Sequence, residues 1–157
     1  MQDKVNYRFW DTKEHVMLDW DCICQTAFNC TRKEGNEIQR YGLMYFVFTT
    51  PQRFIPLECT GLRDKNGKII FEGDIVDCYV STKKLYRYQV KYEIGSFMLV
   101  SPYEEIFDFK NKWNDNVYPL SQLYFEYNNE EDCIWHCEVN SNIYENPEVL
   151  EEKDANI

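Results

Sequence analysis

The chain has 157 residues, a length that suits one domain able to bury a real core, and is 44% apolar and 17% aromatic. Its longest apolar stretch, Leu43 to Phe48, is too short to span a bilayer, and the opening MQDKVNYRFW is a strand candidate with no signal-peptide pattern. The net charge is −10, and duplex DNA would be repelled where the acids concentrate, since non-specific affinity comes from Lys and Arg neutralising phosphates.

The acidity is unevenly placed. From Tyr124 onward ten acids face the single base Lys153, while residues 1–123 carry seventeen acids and sixteen bases. Residues 151–157 therefore read as an acidic, disordered tail after a single β-rich domain over 1–150. A sharper reading is an acidic surface that imitates nucleic acid and inhibits a host protein. Seven cysteines without an export signal read as reduced thiols of a cytoplasmic protein.

In chain order, VNYRFWDTKEHVMLDW is two short apolar runs around Asp11-Thr12-Lys13-Glu14, a hairpin pattern. Residues 21–40 are polar and irregular, an excursion or loop. YGLMYFVFTT at 41–50 is a continuous apolar run of strand length that stops at Pro51. Asn66-Gly67 is a strong hairpin signal, expected to place both residues at positive φ. Lys68 to Phe71 reads as a strand, and Glu72-Gly73-Asp74 as another turn.

Alternation then places Val76, Cys78 and Val80 on one face and Ile75, Asp77 and Tyr79 on the other. In LYRYQVKYE, Tyr86, Tyr88, Val90 and Tyr92 share a face opposite Arg87, Gln89 and Lys91. Gly95-Ser96 turns the chain into FMLV. Ser101-Pro102-Tyr103-Glu104 is a capping box, predicting a helix with Ile106, Phe109 and Trp113 on one side. Leu120 to Leu123 adds a further helical turn. CIWHCEVNSNIY returns to β character, with Cys133, Trp135, Cys137 and Val139 expected on one strand face. The architecture expected is mainly β: a small SH3-like barrel or sandwich of short antiparallel strands, with an N-terminal hairpin and one or two short helices.

These pieces, in this order, resemble the YopX family of small phage- and prophage-encoded proteins. YRFWD resembles its N-terminal strand, TGLRDKNGKIIFEGDIV at 60–76 is the most specific match, and NIYENPEVL at 142–150 resembles its C-terminal signature. Residues 21–50 and 101–130 read as insertions. Cys59 stands where an aromatic is usual, and Asn140-Ser141 replaces an apolar-glycine step. The resemblance implies a mainly β domain, a phage accessory role in the bacterial host cell and self-association. It carries over no activity, cofactor or catalytic residue.

Cys22, Cys24 and Cys30, with Cys133, His136 and Cys137, offer no tight-turn zinc spacing, since residues 133 and 137 of one strand lie about 13 Å apart. They read as buried apolar cysteines. His15 and His136 have no nucleophile motif beside them, and no Gly-rich loop cradles a phosphate. No catalytic residue, cofactor or metal is therefore expected.

Asp64, Asn66, Gly67, Glu72, Gly73 and Asp74 read as turn-makers, and with Thr60, Gly61, Asn142, Tyr144, Glu145, Asn146 and Pro147 they make up the family-like signature, read as structural. Tyr86, Arg87, Tyr88, Lys91 and Tyr92, in strand 83–92, are the candidate platform for single-stranded nucleic acid. The leading expectation is a non-enzymatic protein that acts by binding another protein, itself included. Neither duplex DNA nor a membrane is expected as a partner.

Overall fold

The computed structural model describes residues 7–19, 49–81, 84–102, 117–127 and 133–150. In chain order the elements are β1 (Tyr7–Asp11), β2 (Val16–Leu18), β3 (Phe54–Asp64), β4 (Ile69–Phe71) and β5 (Asp74–Ser81). Then come β6 (Lys84–Glu93), β7 (Ser96–Val100), β8 (Val117–Pro119), α1 (Leu120–Tyr127), β9 (Cys133–Ile134), β10 (Cys137–Asn142) and a 3₁₀ helix, Pro147–Leu150. The protein is mainly β. The apolar run 41–50 falls almost wholly outside the described residues, as do the excursion 21–40, the helix predicted after Pro102 and the tail 151–157.

The chain divides into two compact units, Met1–Glu58 and Cys59–Ile157, with β3 running from the first into the second. In the first unit β1 pairs antiparallel with β2 and with the start of β3, with Asp11 opposite both Val16 and Phe54. The hairpin forms where the sequence places it. Phe9, Trp10, Phe54 and Leu57 are buried there.

The second unit is built on an antiparallel sheet in the order β10-β5-β6-β7-β8. Its core contains Val76, Cys78, Tyr88, Val90, Leu99, Cys137 and Val139 from that sheet, joined by Ile70 and Ile134. These positions follow the period of two expected of half-buried strands. Leu120 and Leu123 of α1, three residues apart on one helix face, enter the same core. The helical turn expected at Leu120 thus extends to Tyr127. The region read as an insertion supplies an edge strand and a cover for the core.

Two expectations are corrected. Among the described residues the strands form two sheets, β2-β1-β3-β4 with β9 on β3, and β10-β5-β6-β7-β8, so of the barrel or sandwich expected the closed barrel is not what forms. Among the described residues β10 and β8 end the second sheet at opposite edges. Two outward-facing groups of β10 are taken by a loop: Val139 N–H donates to the Asp64 carboxylate at 2.9 Å, and Cys137 C=O accepts from Lys65 N–H at 2.9 Å. A capped edge cannot close a barrel.

The second correction concerns residues 133–139, which are not one strand. Cys133-Ile134 pairs in parallel with Arg63-Asp64 of β3, the chain turns at Trp135-His136, and Cys137 begins β10 against β5. Cys133 and Cys137 therefore belong to different sheets, the 13 Å separation expected for one strand does not apply, and Trp135 is 60% exposed.

Candidate functional site

The family-like segment at 60–76 builds a hairpin around a buried acid. Asp64, 1% exposed, accepts from Asn66 N–H at 2.8 Å and Lys68 N–H at 2.9 Å with one oxygen, and from Val139 N–H with the other. A carboxylate with three backbone donors shapes the loop and joins it to β10. Gly67 N–H donates to Asp64 C=O at 2.9 Å and Asp64 N–H to Lys68 C=O at 2.9 Å. Gly67 adopts φ +79°, but Asn66 is not at positive φ. This is a three-residue loop with glycine in the left-handed position, and the double positive φ expected of Asn66-Gly67 is absent.

Earlier in the same segment the Thr60 hydroxyl donates to Ile70 C=O at 2.8 Å and accepts from Leu62 N–H at 3.2 Å. Gly61, at φ +79°, lies where the β3–β4 register shifts. On the loop rim Lys65 forms an ion pair with Glu138, whose carboxylate raises the lysine above its ordinary value of 10.5. Asn66 Nδ2 also donates to Glu138, at 3.3 Å.

The two family-like segments, far apart in sequence, meet at Gly73. In the turn after Glu72, Asp74 accepts from Phe71 N–H at 2.9 Å. Gly73, at φ +83°, donates to Val90 C=O at 2.8 Å and accepts from Ile143 N–H at 3.0 Å. The Tyr144 ring lies 3.0 Å from where a β-carbon on Gly73 would stand. Opposite, the buried Asn142 accepts from Tyr144 N–H at 3.1 Å and Glu145 N–H at 2.9 Å, and its amide donates to the Glu145 carboxylate. Asn146 accepts from the Ser141 hydroxyl at 2.8 Å, and Pro147 opens the 3₁₀ helix.

The candidate stacking strand is largely committed to the fold. Tyr88 is buried, and Tyr86 packs beside it with ring centroids 6.3 Å apart. Arg87 forms a two-pronged pair with Asp77, at 2.7 and 3.0 Å, and donates to Val149 C=O at 2.8 Å. Asn140 Nδ2 donates to Asp77 as well, at 2.9 Å. Arg87 thus anchors the 3₁₀ helix. Lys91 is half-buried, and of the five candidates Tyr92 is the most exposed, at 48%.

The first unit has its own polar knot. Asp11 is buried and accepts from Arg53 Nε at 2.8 Å and Nη2 at 2.7 Å, and from the N–H groups of Lys13 and Glu14. Burial works to raise the Asp11 pKa, but the guanidinium and backbone donors outweigh it and hold the carboxyl below its ordinary 3.8. His15, at φ +54°, closes the loop by donating its N–H to Asp11 C=O at 2.8 Å.

Among the described residues no three metal-ligating side chains gather, and Cys22, Cys24 and Cys30 fall outside them. Sequence reasoning overlooked the exposed apolar side chains Tyr79, Ile94, Phe125 and Trp135. Ile94 is 65% exposed at φ +52°, in a two-residue turn with Gly95 at φ +72°. The sequence places this turn one residue later, at Gly95-Ser96, and so gives no notice that Ile94 stands in it.

The family model described as YopX protein matches residues 6–151. The chain belongs to the YopX family. Similar solved structures include YopX from Bacillus subtilis, at 17% identity and TM-score 0.45, covering 94% of this chain and 98% of that one. Protein EF1440 from Enterococcus faecalis is similar at 22% identity and TM-score 0.48, covering 92% of this chain and 96% of that one. No curated protein matches. Both family-like segments lie within the YopX match, so the Gly73–Tyr144 junction is built from the two stretches that carry the resemblance.

Proposed function

We propose that this YopX-family chain is a non-enzymatic phage or prophage accessory protein that works in the bacterial cytoplasm by binding a protein, a second copy of itself included. The observation that carries the reading is the β6–β7 hairpin tip. Ile94 is β-branched, and its φ of +52° is strained for such a side chain by about 1–3 kcal/mol. It also projects an apolar group into water, with Tyr92 exposed beside it and packed edge-on against Phe97 at 5.2 Å. Neither stability nor solubility favours that arrangement, whereas an apolar contact with a partner does.

Among the described residues no helix is long and apolar enough to cross a membrane. The buried acids Asp11, Asp64, Asp74 and Asp77 all bond to backbone or guanidinium donors, which supports structural roles for them.

The test is affinity capture from phage-carrying cells with the intact chain and with Ile94→Asn, alongside sedimentation of both. Asn-Gly suits this turn, so the variant should be more stable by about 1 kcal/mol and yet lose its prey or its self-association. Unchanged capture and unchanged sedimentation by the stabilised variant would reject the hairpin tip as the contact.

A further inference from the structure

Among the described cysteines, Cys78 and Cys137 face each other across two strands. They are direct cross-strand partners, Cys137 of β10 opposite Cys78 of β5. One step along, Tyr79 N–H donates to His136 C=O at 2.9 Å. Hydrogen-bonded and non-bonded pairs alternate in an antiparallel ladder, so Cys78–Cys137 occupies a non-bonded position. Backbones approach most closely there, with Cα atoms roughly 4.5 Å apart, inside the 4.4–6.8 Å range that a disulfide spans. Both side chains point into the same core, and both are free thiols.

We propose that Cys78 and Cys137 form a disulfide site, closed by a small peroxide oxidant without rearrangement of the sheet. One thiolate attacks a peroxide oxygen, the O–O bond breaks, and a sulfenic acid and one water result. The second sulfur then attacks the first, the S–O bond breaks, and a second water leaves as the S–S bond forms. Two thiols and one hydrogen peroxide give one disulfide and two waters, with two electrons passing from sulfur to peroxide.

The bond would clasp β10, which leads into the Asn142–Leu150 segment, to β5, which starts at the Asp74 turn beneath it. Burial sets the pace. The two residues are 1% and 0% exposed, and the Cys78 thiol, desolvation and the nearby Asp64 and Asp74 carboxylates all push Cys137 up, keeping it protonated. The pair is therefore slow to oxidise and, once closed, shielded from bulky reductants. Among the described residues Cys59 is the more open thiol, half-buried in β3.

The experiment treats the intact folded chain with hydrogen peroxide in the absence of denaturant, followed by non-reducing peptide mapping and thermal unfolding. The expected product is about 2 Da lighter, with Cys78 linked to Cys137 and Tm raised by about 10 °C for a closed loop of this length. Reductant should reverse both changes once the chain is unfolded. Cys137→Ala should show neither change, and Cys78→Ala is the second control. A disulfide mapped to other cysteines, or over-oxidation of Cys59 with Cys78 and Cys137 still free thiols, would overturn the proposal.

Discussion

Gly73 and Gly67 share a positive φ, yet they should answer substitution differently. At Gly67 a β-carbon meets open space, so Gly67→Ala carries only the left-handed backbone cost, about 1 kcal/mol. At Gly73 the same carbon would meet the Tyr144 ring at 3.0 Å, so overpacking adds to the strain and Gly73→Ala should cost about 3 kcal/mol. Urea unfolding of the two variants measures the difference, and equal losses would show that Tyr144 yields freely. The sequence marked both glycines as turn residues. It did not show that one of them lies under a tyrosine 71 positions later. Asp64 makes the same point: its place in a turn was legible, but its bond to Val139 N–H needed the tertiary contact.

At the scale of elements, the strand Lys84–Glu93 was read correctly in its alternation and differently in its use. Tyr88 enters the core with Tyr86 packed against it, Tyr92 of the same face stays exposed, and Arg87 on the other face clamps the C-terminal 3₁₀ helix to Asp77. Arg87→Ala should cost about 3 kcal/mol, because Asp77 is left nearly buried with its partner charge removed. It should also speed proteolysis between Asn146 and Leu150, since Val149 C=O loses its donor. Limited proteolysis with mass mapping checks this, and an unaltered cleavage rate would mean that the helix is held by other contacts. Arg87→Lys should fall between the two, keeping the charge and losing the two-pronged geometry. The β9–β10 region shows where alternation misleads. Cys133, Trp135, Cys137 and Val139 have the spacing of one strand face, yet a turn at Trp135-His136 sends the two ends to different sheets.

For the molecule as a whole, the polar knot of the first unit gives it a definite acid response. Asp11 has a folded-state pKa below its ordinary value, so its stabilisation is fully present above 3.8 and is lost as the pH falls through the lower folded value. Hydrogen exchange at the Thr12 and His15 amides should therefore rise steeply below that window. In Asp11→Asn the acid step should vanish and the first unit be weaker by about 2 kcal/mol at neutral pH, with Arg53 left nearly buried and only the exposed Glu14 carboxylate, at 3.7 Å, as counter-charge. An unchanged acid profile in that variant would assign the transition to other groups.

By itself, the sequence determined the β class, the N-terminal hairpin, most turns and the family, because these depend on local alternation, on residues that tolerate special backbone angles and on short contiguous motifs. Only the tertiary structure decided that there are two sheets, that Asp64 caps the edge of β10, that Gly73 meets Tyr144 and that Cys78 faces Cys137. Each of those depends on which strand lies beside which. That is fixed by burial and hydrogen bonding between segments distant in the chain, and no local pattern of residue types encodes it.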